Sequence, residues 1–276
     1  MKILKSVSEA DLFVKKQHSL EKEICLIPTM GTLHDGHLEL IKQAPNNSSK
    51  VVTIYINHLQ FDDENDYLNY PKNINKDIEL CKKHNVEGVF MPEKDCMINL
   101  IDNHAVDLPK FTKYMCGGKR NGHFLGVYKI VKALFALFNP NYACFGKKDF
   151  QQLLLIKYIA KTHFQNLKII DVNTIRNIDN IALSSRLSRL NEMSLIKARL
   201  IYETLLKIKS NLLGGLSFDS IKEKYISELE NKDIRVEYID LRLLDTLEVS
   251  RNQFNKSAVF IACYVDEVRL IDNIEI

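Results

Sequence analysis

Residues 27–40, IPTMGTLHDGHLEL, decide how this chain folds. The apolar run at 23–27 that leads into them reads as a strand. Behind them Leu38, Ile41 and Lys42 begin a helical face that Pro45 ends. Between strand and helix stand two glycines, Gly31 and Gly36, and two histidines, His34 and His37. A strand, a tight turn and a helix N-terminus aim unpaired backbone N–H groups and the positive end of the helix dipole at whatever lies above the strand. Two imidazoles three residues apart across a glycine add donors at the same spot. Such a site suits the phosphates of a nucleotide. His-x-Gly-His is short enough to arise by chance, and its position between a strand and a helix is what gives it weight.

Working outward, the same arrangement recurs. VVTIYI at 51–56 is a nearly continuous β-branched run, the pattern of a central parallel strand buried on both faces. It ends at NHLQF, 57–61. Ligands of open α/β sheets sit at the carboxyl ends of strands. Asn57 and Gln60 are therefore placed to face one, although Asn57 equally suits a turn cap and Gln60 a solvated position. A further strand at 142–145 runs into GKKDFQQ, 146–152, which opens a helix. Two such turns from adjacent strands make one cleft, while the simpler reading of Asp149 is a first-turn acid that complements the helix dipole. The rest of the first part alternates in the same way. Residues 6–18 predict a helix capped by Ser8, 74–84 an amphipathic helix, 86–91 a short buried strand, 123–138 an apolar helix followed by Pro140, and 168–172 a strand. Residues 62–70, DDENDYLNY, read as a surface loop, and 94–120 as loops with short strands.

GGKRNGH at 117–123 has the look of a phosphate loop and fails its pattern. Lys113 stands where a glycine is required, and no Ser or Thr follows Lys119. What is left is a basic, glycine-rich opening to a helix that suits an anion. LSSR at 183–186 offers two hydroxyls and a guanidinium, which serve either as phosphate donors or as a capping pair with a surface arginine. Beyond it the alternation stops, and helices at 192–211 and 218–230 precede strands at 234–241 and 258–265. The expected architecture is α/β: a Rossmann-like parallel-sheet domain over 1–175, then a smaller α+β domain over 176–276.

The 276 residues allow a sizeable core, and 46% hydrophobic with 26% charged residues is the balance of a globular protein. A net charge of +3 is no nucleic-acid footprint. The cysteines at 25, 81, 96, 116, 144 and 263 form no Cys-x-x-Cys pair and no metal-type spacing, which points to a reducing cytoplasm. Charges run through MKILKSVSEADLFVKKQ at 1–17, unlike a signal peptide. No apolar run approaches the ~20 residues that span a bilayer, so neither nucleic acid nor membrane is an expected partner.

His-x-Gly-His in this setting resembles the nucleotidyl-transferring branch of the Rossmann-like folds. With PTMGTLHDGH at 28–37, NHLQF at 57–61, RNGHFLGV at 120–127, FGKKDFQQL at 145–153, LSSR at 183–186 and RLIDNIEI at 269–276, the chain resembles the pantothenate synthetase family over nearly its whole length. That resemblance implies ATP-dependent condensation of pantoate with β-alanine through a pantoyl adenylate, with Mg²⁺, in a homodimer. It implies that His34 and His37 hold the ATP phosphates, with His37 as the proton donor, and that Lys148 neutralises phosphate charge. Asp149 and Gly146 would lie at the ribose, and Ile175 and Leu183 beside the adenine. Ser184, Ser185 and Arg186 would close on the phosphates from the second domain, acting as a lid. Met30, Gly31, Gly36 and Lys147 complete the implied ATP site. Gln60 and Gln152 would hold pantoate between the apolar walls of Met30 and Phe145, and Gln60 would also line the β-alanine position.

The residue types suit that chemistry, because displacement at phosphorus needs alignment and charge stabilisation more than a protein nucleophile. The chain departs from the family where His58 replaces a proline, Lys147 a glutamate, and Leu187-Ser188-Arg189 an Asn-Arg-Tyr, and its 62–70 loop lacks a Gly-Pro. Two other functions compete. Another HxGH nucleotidyltransferase would need more basic groups where Gln60 and Gln152 stand, and a catalytically silent nucleotide-binding protein would have lost a histidine or Lys148.

Overall fold

In the computed structural model, residues 1–102, 104–250 and 256–276 are described. The strands are β1 (Lys2–Leu4), β2 (Ile24–Thr29), β3 (Ser49–Ile54), β4 (Gly88–Phe90), β5 (Tyr142–Gly146), β6 (Lys168–Val172), β7 (Ile234–Leu243), β8 (Ser257–Val265) and β9 (Val268–Glu275). The helices are α1 (Val7–Ser19), α2 (Asp35–Gln43), α3 (Glu64–Leu68), α4 (Ile74–Lys83), α5 (Lys94–Leu100), α6 (Met115–Lys119), α7 (His123–Phe138), α8 (Phe150–His163), α9 (Glu192–Leu213) and α10 (Phe218–Glu230). Two compact units result. One comprises residues 1–109, 120–147 and 152–173, the other 110–119, 148–151 and 174–276.

The first unit is an α/β domain around a six-stranded parallel sheet in the order β1-β4-β3-β2-β5-β6. The chain steps outward from β2 through β3 to β4, then returns to the other side of β2 for β5 and β6. The order therefore reverses between β2 and β5, the place where open α/β sheets bind ligands. Their side-by-side pairing, Cys25 with Tyr142 and Leu26 with Ala143, brings the ends of both strands to one edge. Apolar side chains of β2, β3 and α2 form the core beneath that edge, with Ile27, Val52, Leu38 and Ile41 buried.

The second unit pairs the antiparallel sheet β7-β8-β9 with α9 and α10. Its core joins Ile201, Leu205 and Ile208 of α9 and Tyr225 of α10 to Ile239 and Ile261 of the sheet. Residues 110–119 are tied to β7 and β9 at Cys116, whose Sγ lies 3.1 Å from Tyr238 Oη and accepts from Arg269 Nη2 at 3.4 Å, and residues 148–151 are tied to both of their neighbours. Gln151 Nε2 donates to the carbonyls of Phe111 and Tyr114, both at 2.8 Å. Asn273 Nδ2 donates to the carbonyl of Lys148 at 3.0 Å.

Three local expectations are corrected. Helix α1 is capped by Ser6 rather than Ser8, because Ser6 and Glu9 close a capping box: Ser6 Oγ accepts from the Glu9 N–H at 3.2 Å, and Glu9 Oε2 from the Ser6 N–H at 3.1 Å. The acidic stretch 62–70 contains α3, nucleated where Asp63 accepts from the Asn65 N–H at 2.8 Å and steadied by Phe61 packing edge-on against Tyr67 and Tyr70. The described residues of 94–120 form α5, a 3₁₀ turn at Lys110–Lys113 and α6 instead of strands. Their bonds close locally, as in the Gly117 and Gly118 N–H groups donating to the Tyr114 carbonyl, and Gln151 satisfies carbonyls that a strand would have paired.

Candidate active site

The turn after β2 is held rigidly from its two neighbours. Thr29 Oγ1 donates to the Thr53 carbonyl of β3 at 2.7 Å and accepts from the Gly31 N–H at 3.2 Å. Gly31 has φ +82°, and a Cβ there would lie 3.0 Å from Ile54 Cγ2 and 3.1 Å from Asp77 Oδ2, so only glycine fits. Asp77, on α4 and 1% exposed, accepts from the N–H groups of Thr32 at 2.8 Å and Leu33 at 2.7 Å. Thr32 Oγ1 donates to the Pro71 carbonyl at 2.6 Å. A buried carboxylate with two backbone donors is satisfied and holds the turn in one shape.

That shape presents the two histidines. His34 is the N-cap of α2, where its Nδ1 accepts from the Gly36 N–H at 3.2 Å. The His34 N–H in turn donates to His37 Nδ1 at 3.3 Å. Backbone N–H groups only donate, so both Nδ1 atoms are acceptors and each neutral ring carries its proton on Nε2. The rings stand 4.1 Å apart. The pair thus joins two imidazole donors to the start of a helix, where an anion is stabilised.

The turn after β3 orients Gln60. Asn57, 2% exposed, accepts at Oδ1 from the Leu59 N–H and donates from Nδ2 to the Gly126 carbonyl and to Gln60 Oε1, each at 3.1 Å. The two backbone partners fix which way round the Asn57 amide sits. Gln60 Oε1 is consequently an acceptor already used, and its NH₂ is the side that donates outward. Beside it Tyr55 Oη and His58 Nδ1 are 3.3 Å apart. Burial, and secondarily Lys94, holds the His58 imidazole below its usual value, and burial pushes the Tyr55 phenol up to about 12.

At the end of β5 the Phe145 ring is buried against Phe135. A Cβ added at Gly146 would meet nothing. Met30, Lys147 and Gln152 are half-buried, in contrast to buried Gln151. The first unit therefore collects Met30, Gly31, His34, Gly36, His37, Gln60, Phe145, Gly146, Lys147 and Gln152.

The other sequence-derived candidates belong to the second unit. Lys148 Nζ is 3.9 Å from Asp149 Oδ2. Ile175 and Leu183 face each other across a hairpin closed by the Leu183 N–H to the Ile175 carbonyl at 2.9 Å. Arg176 fastens this hairpin to β9 with two bonds to Asp272, at 2.6 and 2.8 Å, while stacking on Tyr202. Ser184 caps the 3₁₀ turn Ser185–Arg189, Ser185 is buried, and Arg186 lies in that turn.

Sequence reading missed Asp77 as the clamp of the histidine turn and left Asn57 open. A signal for the first existed: Asp77 and Cys81 share the buried face of α4, and an acid on an apolar helix face asks for a partner.

The chain has close counterparts in sequence and fold. The family model for pantoate-beta-alanine ligase matches residues 2–275. Pantothenate synthetase of Neisseria meningitidis serogroup C is 36% identical over 257 residues, 92% of each chain, and that of Wigglesworthia glossinidia brevipalpis is 36% identical over 286 aligned positions, 100% and 99% of the two chains. The crystal structure of pantothenate synthetase from Thermus thermophilus superposes with a TM-score of 0.89 at 29% identity, covering 100% of this chain and 99% of that one. Pantoate-beta-alanine ligase from Francisella tularensis, complexed with beta-gamma ATP and β-alanine, superposes with a TM-score of 0.83 at 31% identity, covering 100% and 97%. Matched by the family model over residues 2–275 and 36% identical to these relatives over nearly its whole length, the chain belongs to the pantoate–β-alanine ligase family of enzymes.

Proposed function

We propose that this enzyme condenses pantoate with β-alanine in two steps at one site. A carboxylate oxygen of pantoate attacks the α-phosphorus of ATP, the bond to the bridging oxygen breaks, and pyrophosphate leaves. The amine of β-alanine then attacks the carbonyl carbon of pantoyl adenylate, loses a proton, and displaces AMP. The observation that carries this reading is the pairing of two Nε2 donors at the start of α2 with a glutamine amide on the neighbouring strand's turn. The histidines suit the charge that develops on the departing pyrophosphate, with His37 giving its Nε2 proton, and Lys148 adds a formal charge. Gln60 and Gln152 orient the acid without adding charge, and Gln60 also lines the amine's position. Met30 and Phe145 form the apolar walls. Gly31, Gly36, Gly146, Lys147 and Asp149 contact the nucleotide, Ile175 and Leu183 flank its base, and Ser184, Ser185 and Arg186 add phosphate donors. The ligand pair in the Francisella complex supports ATP and β-alanine as substrates.

Among the described residues no group of three or more His, Cys, Asp or Glu side chains could cage a metal ion. The proposal has Mg²⁺ carried in by the phosphates, the usual habit of this ion. When bound there it neutralises phosphate charge. Among the described residues no helix is long and apolar enough to cross a membrane. A cytoplasmic homodimer is part of the proposal.

The test is release of pyrophosphate and AMP from ATP with pantoate, with and without β-alanine. Pyrophosphate released without β-alanine, with AMP following only on its addition, is the expected result. AMP retained covalently on the final product would identify a nucleotidyltransferase instead, and no turnover of ATP would reject the reading.

A further inference from the structure

The glycine-rich stretch 117–123 suggested an anion contact, yet the structure turns two of its side chains toward Gln60. Arg120 Nε donates to Asp62 Oδ1 at 2.7 Å, and Nη2 to the Gln60 carbonyl at 3.1 Å. His123 Nδ1 donates to the same carbonyl at 2.7 Å. A carbonyl only accepts, so Nδ1 bears the proton; Arg120 Nη1 lies 3.5 Å from His123 Nε2, the acceptor side of the neutral ring. The Gln60 N–H donates to the Asn57 carbonyl at 3.2 Å. The main chain of Gln60 is therefore bonded on both sides, with two donors on one carbonyl and one of them charged. His123 is 7% exposed and the Arg120 side chain 13%, so water competes weakly for these bonds.

We infer that Arg120 and His123 are positioning residues that hold the backbone of Gln60, so that its NH₂ donates to an acceptor oxygen of the acid substrate, with Asp62 orienting the arginine. The inference rests on the proposed contact between Gln60 and pantoate. Its physical basis is pre-organisation: a turn already ordered in the free enzyme loses little freedom when the substrate arrives. A clamp that served only the fold would lower stability and leave the substrate constants of the folded enzyme alone.

The experiment compares Arg120→Ala, His123→Ala, His123→Asn, Asp62→Asn and Gln60→Ala, singly and in double variants with Gln60→Ala. Pantoate and ATP are titrated separately, and thermal unfolding is followed in parallel. Arg120→Ala and His123→Ala should each raise the KM for pantoate about tenfold, the scale of one good hydrogen bond, and leave the KM for ATP unchanged. His123→Asn, which retains a donor near Nδ1, should recover most of the loss. In the Gln60→Ala background neither substitution should weaken pantoate use further. Folded Arg120→Ala and His123→Ala enzymes with the wild-type KM for pantoate, beside a defective Gln60→Ala, would overturn the clamp alone. Gln60→Ala with normal pantoate use would overturn the contact and the clamp with it. Should the alanine variants not fold, Asp62→Asn keeps an acceptor and removes the charge. A smaller rise in the same KM supports the clamp, and no rise overturns it.

Discussion

Replacing Gly126 by alanine tests how tightly the Gln60 turn is built. Helix α7 passes so close to residues 57–60 that a Cβ on Gly126 would lie 2.2 Å from the Leu59 oxygen, 2.4 Å from the Leu59 carbonyl carbon and 2.7 Å from the Gln60 nitrogen. Carbon and oxygen atoms in ordinary close contact stay about 3.3–3.6 Å apart, so helix and turn must separate by roughly an ångström. All three atoms struck are backbone, and no side chain can swing aside to absorb the change. Overpacking of this kind costs ~1–3 kcal/mol. Weakening the Asn57 Nδ2 bond to the Gly126 carbonyl adds ~0.5–1.5 kcal/mol. The better helix propensity of alanine offsets ~1 kcal/mol. The expected net loss is about 0.5–3.5 kcal/mol of folding stability, by the sum of these three effects. Activity should suffer more, because a misplacement of about 1 Å at a substrate-orienting group costs ~10²-fold. Urea denaturation measures the first effect, and kcat/KM for pantoate at saturating ATP the second. Gly146→Ala is the stability control, since its Cβ would meet nothing within 4 Å. Wild-type stability and wild-type pantoate kinetics in Gly126→Ala would refute the reasoning.

Three further outcomes are expected. His34→Ala and His37→Ala should each raise the adenylation barrier by ~2.7–4 kcal/mol, the loss of one preorganised donor, seen as slowed pyrophosphate release; near-normal release would exclude the role. Lys148→Ala should slow formation of pantoyl adenylate far more than its reaction with β-alanine, because only an interaction that strengthens in a transition state speeds that step. Single-turnover rates from ATP and from synthetic pantoyl adenylate decide it, and equal slowing would contradict the division of roles. His58, held below its ordinary value near 6.5 by burial and Lys94, binds fewer protons in the folded chain than in the unfolded one just below that pH, so its contribution to stability falls as pH drops through about 6.5. Melting temperatures of wild type and His58→Gln should diverge in favour of the variant at about pH 5.5 and converge above about pH 7.5, either side of that value; parallel curves would show that His58 does not titrate there.

Much of this protein is written locally in its sequence. The strand before Gly31 and the helix after His34 were legible because a buried parallel strand is a run of apolar residues and an amphipathic helix repeats its apolar face every turn. The same periods located β3, β5, β6, α4, α7, α9 and α10 to within a few residues. The histidines, the GKKD turn and LSSR stood out because unusual chemistry is packed into a few adjacent positions. The missed β1 spans only three residues, Lys2–Leu4, too few to show any period.

What the sequence could not express is which distant residues meet. The Thr32 and Leu33 N–H groups are served by an aspartate more than forty positions later, and Arg120 reaches Asp62 across a similar span. The return of the chain to the far side of β2 sets β5 beside it and makes one edge of two turns. Residues 110–119 join the second unit through Cys116, which meets Tyr238 and Arg269, and residues 148–151 through Asn273 and the packing of Phe150 on Phe260. The polarity of the Gln60 amide follows from Asn57, whose own orientation depends on a carbonyl of α7. Periodicity records the bonds a segment makes with itself and the side it buries. Hydrogen bonds between segments depend on how the sheet stacks them, and that arrangement exists only once the chain has folded.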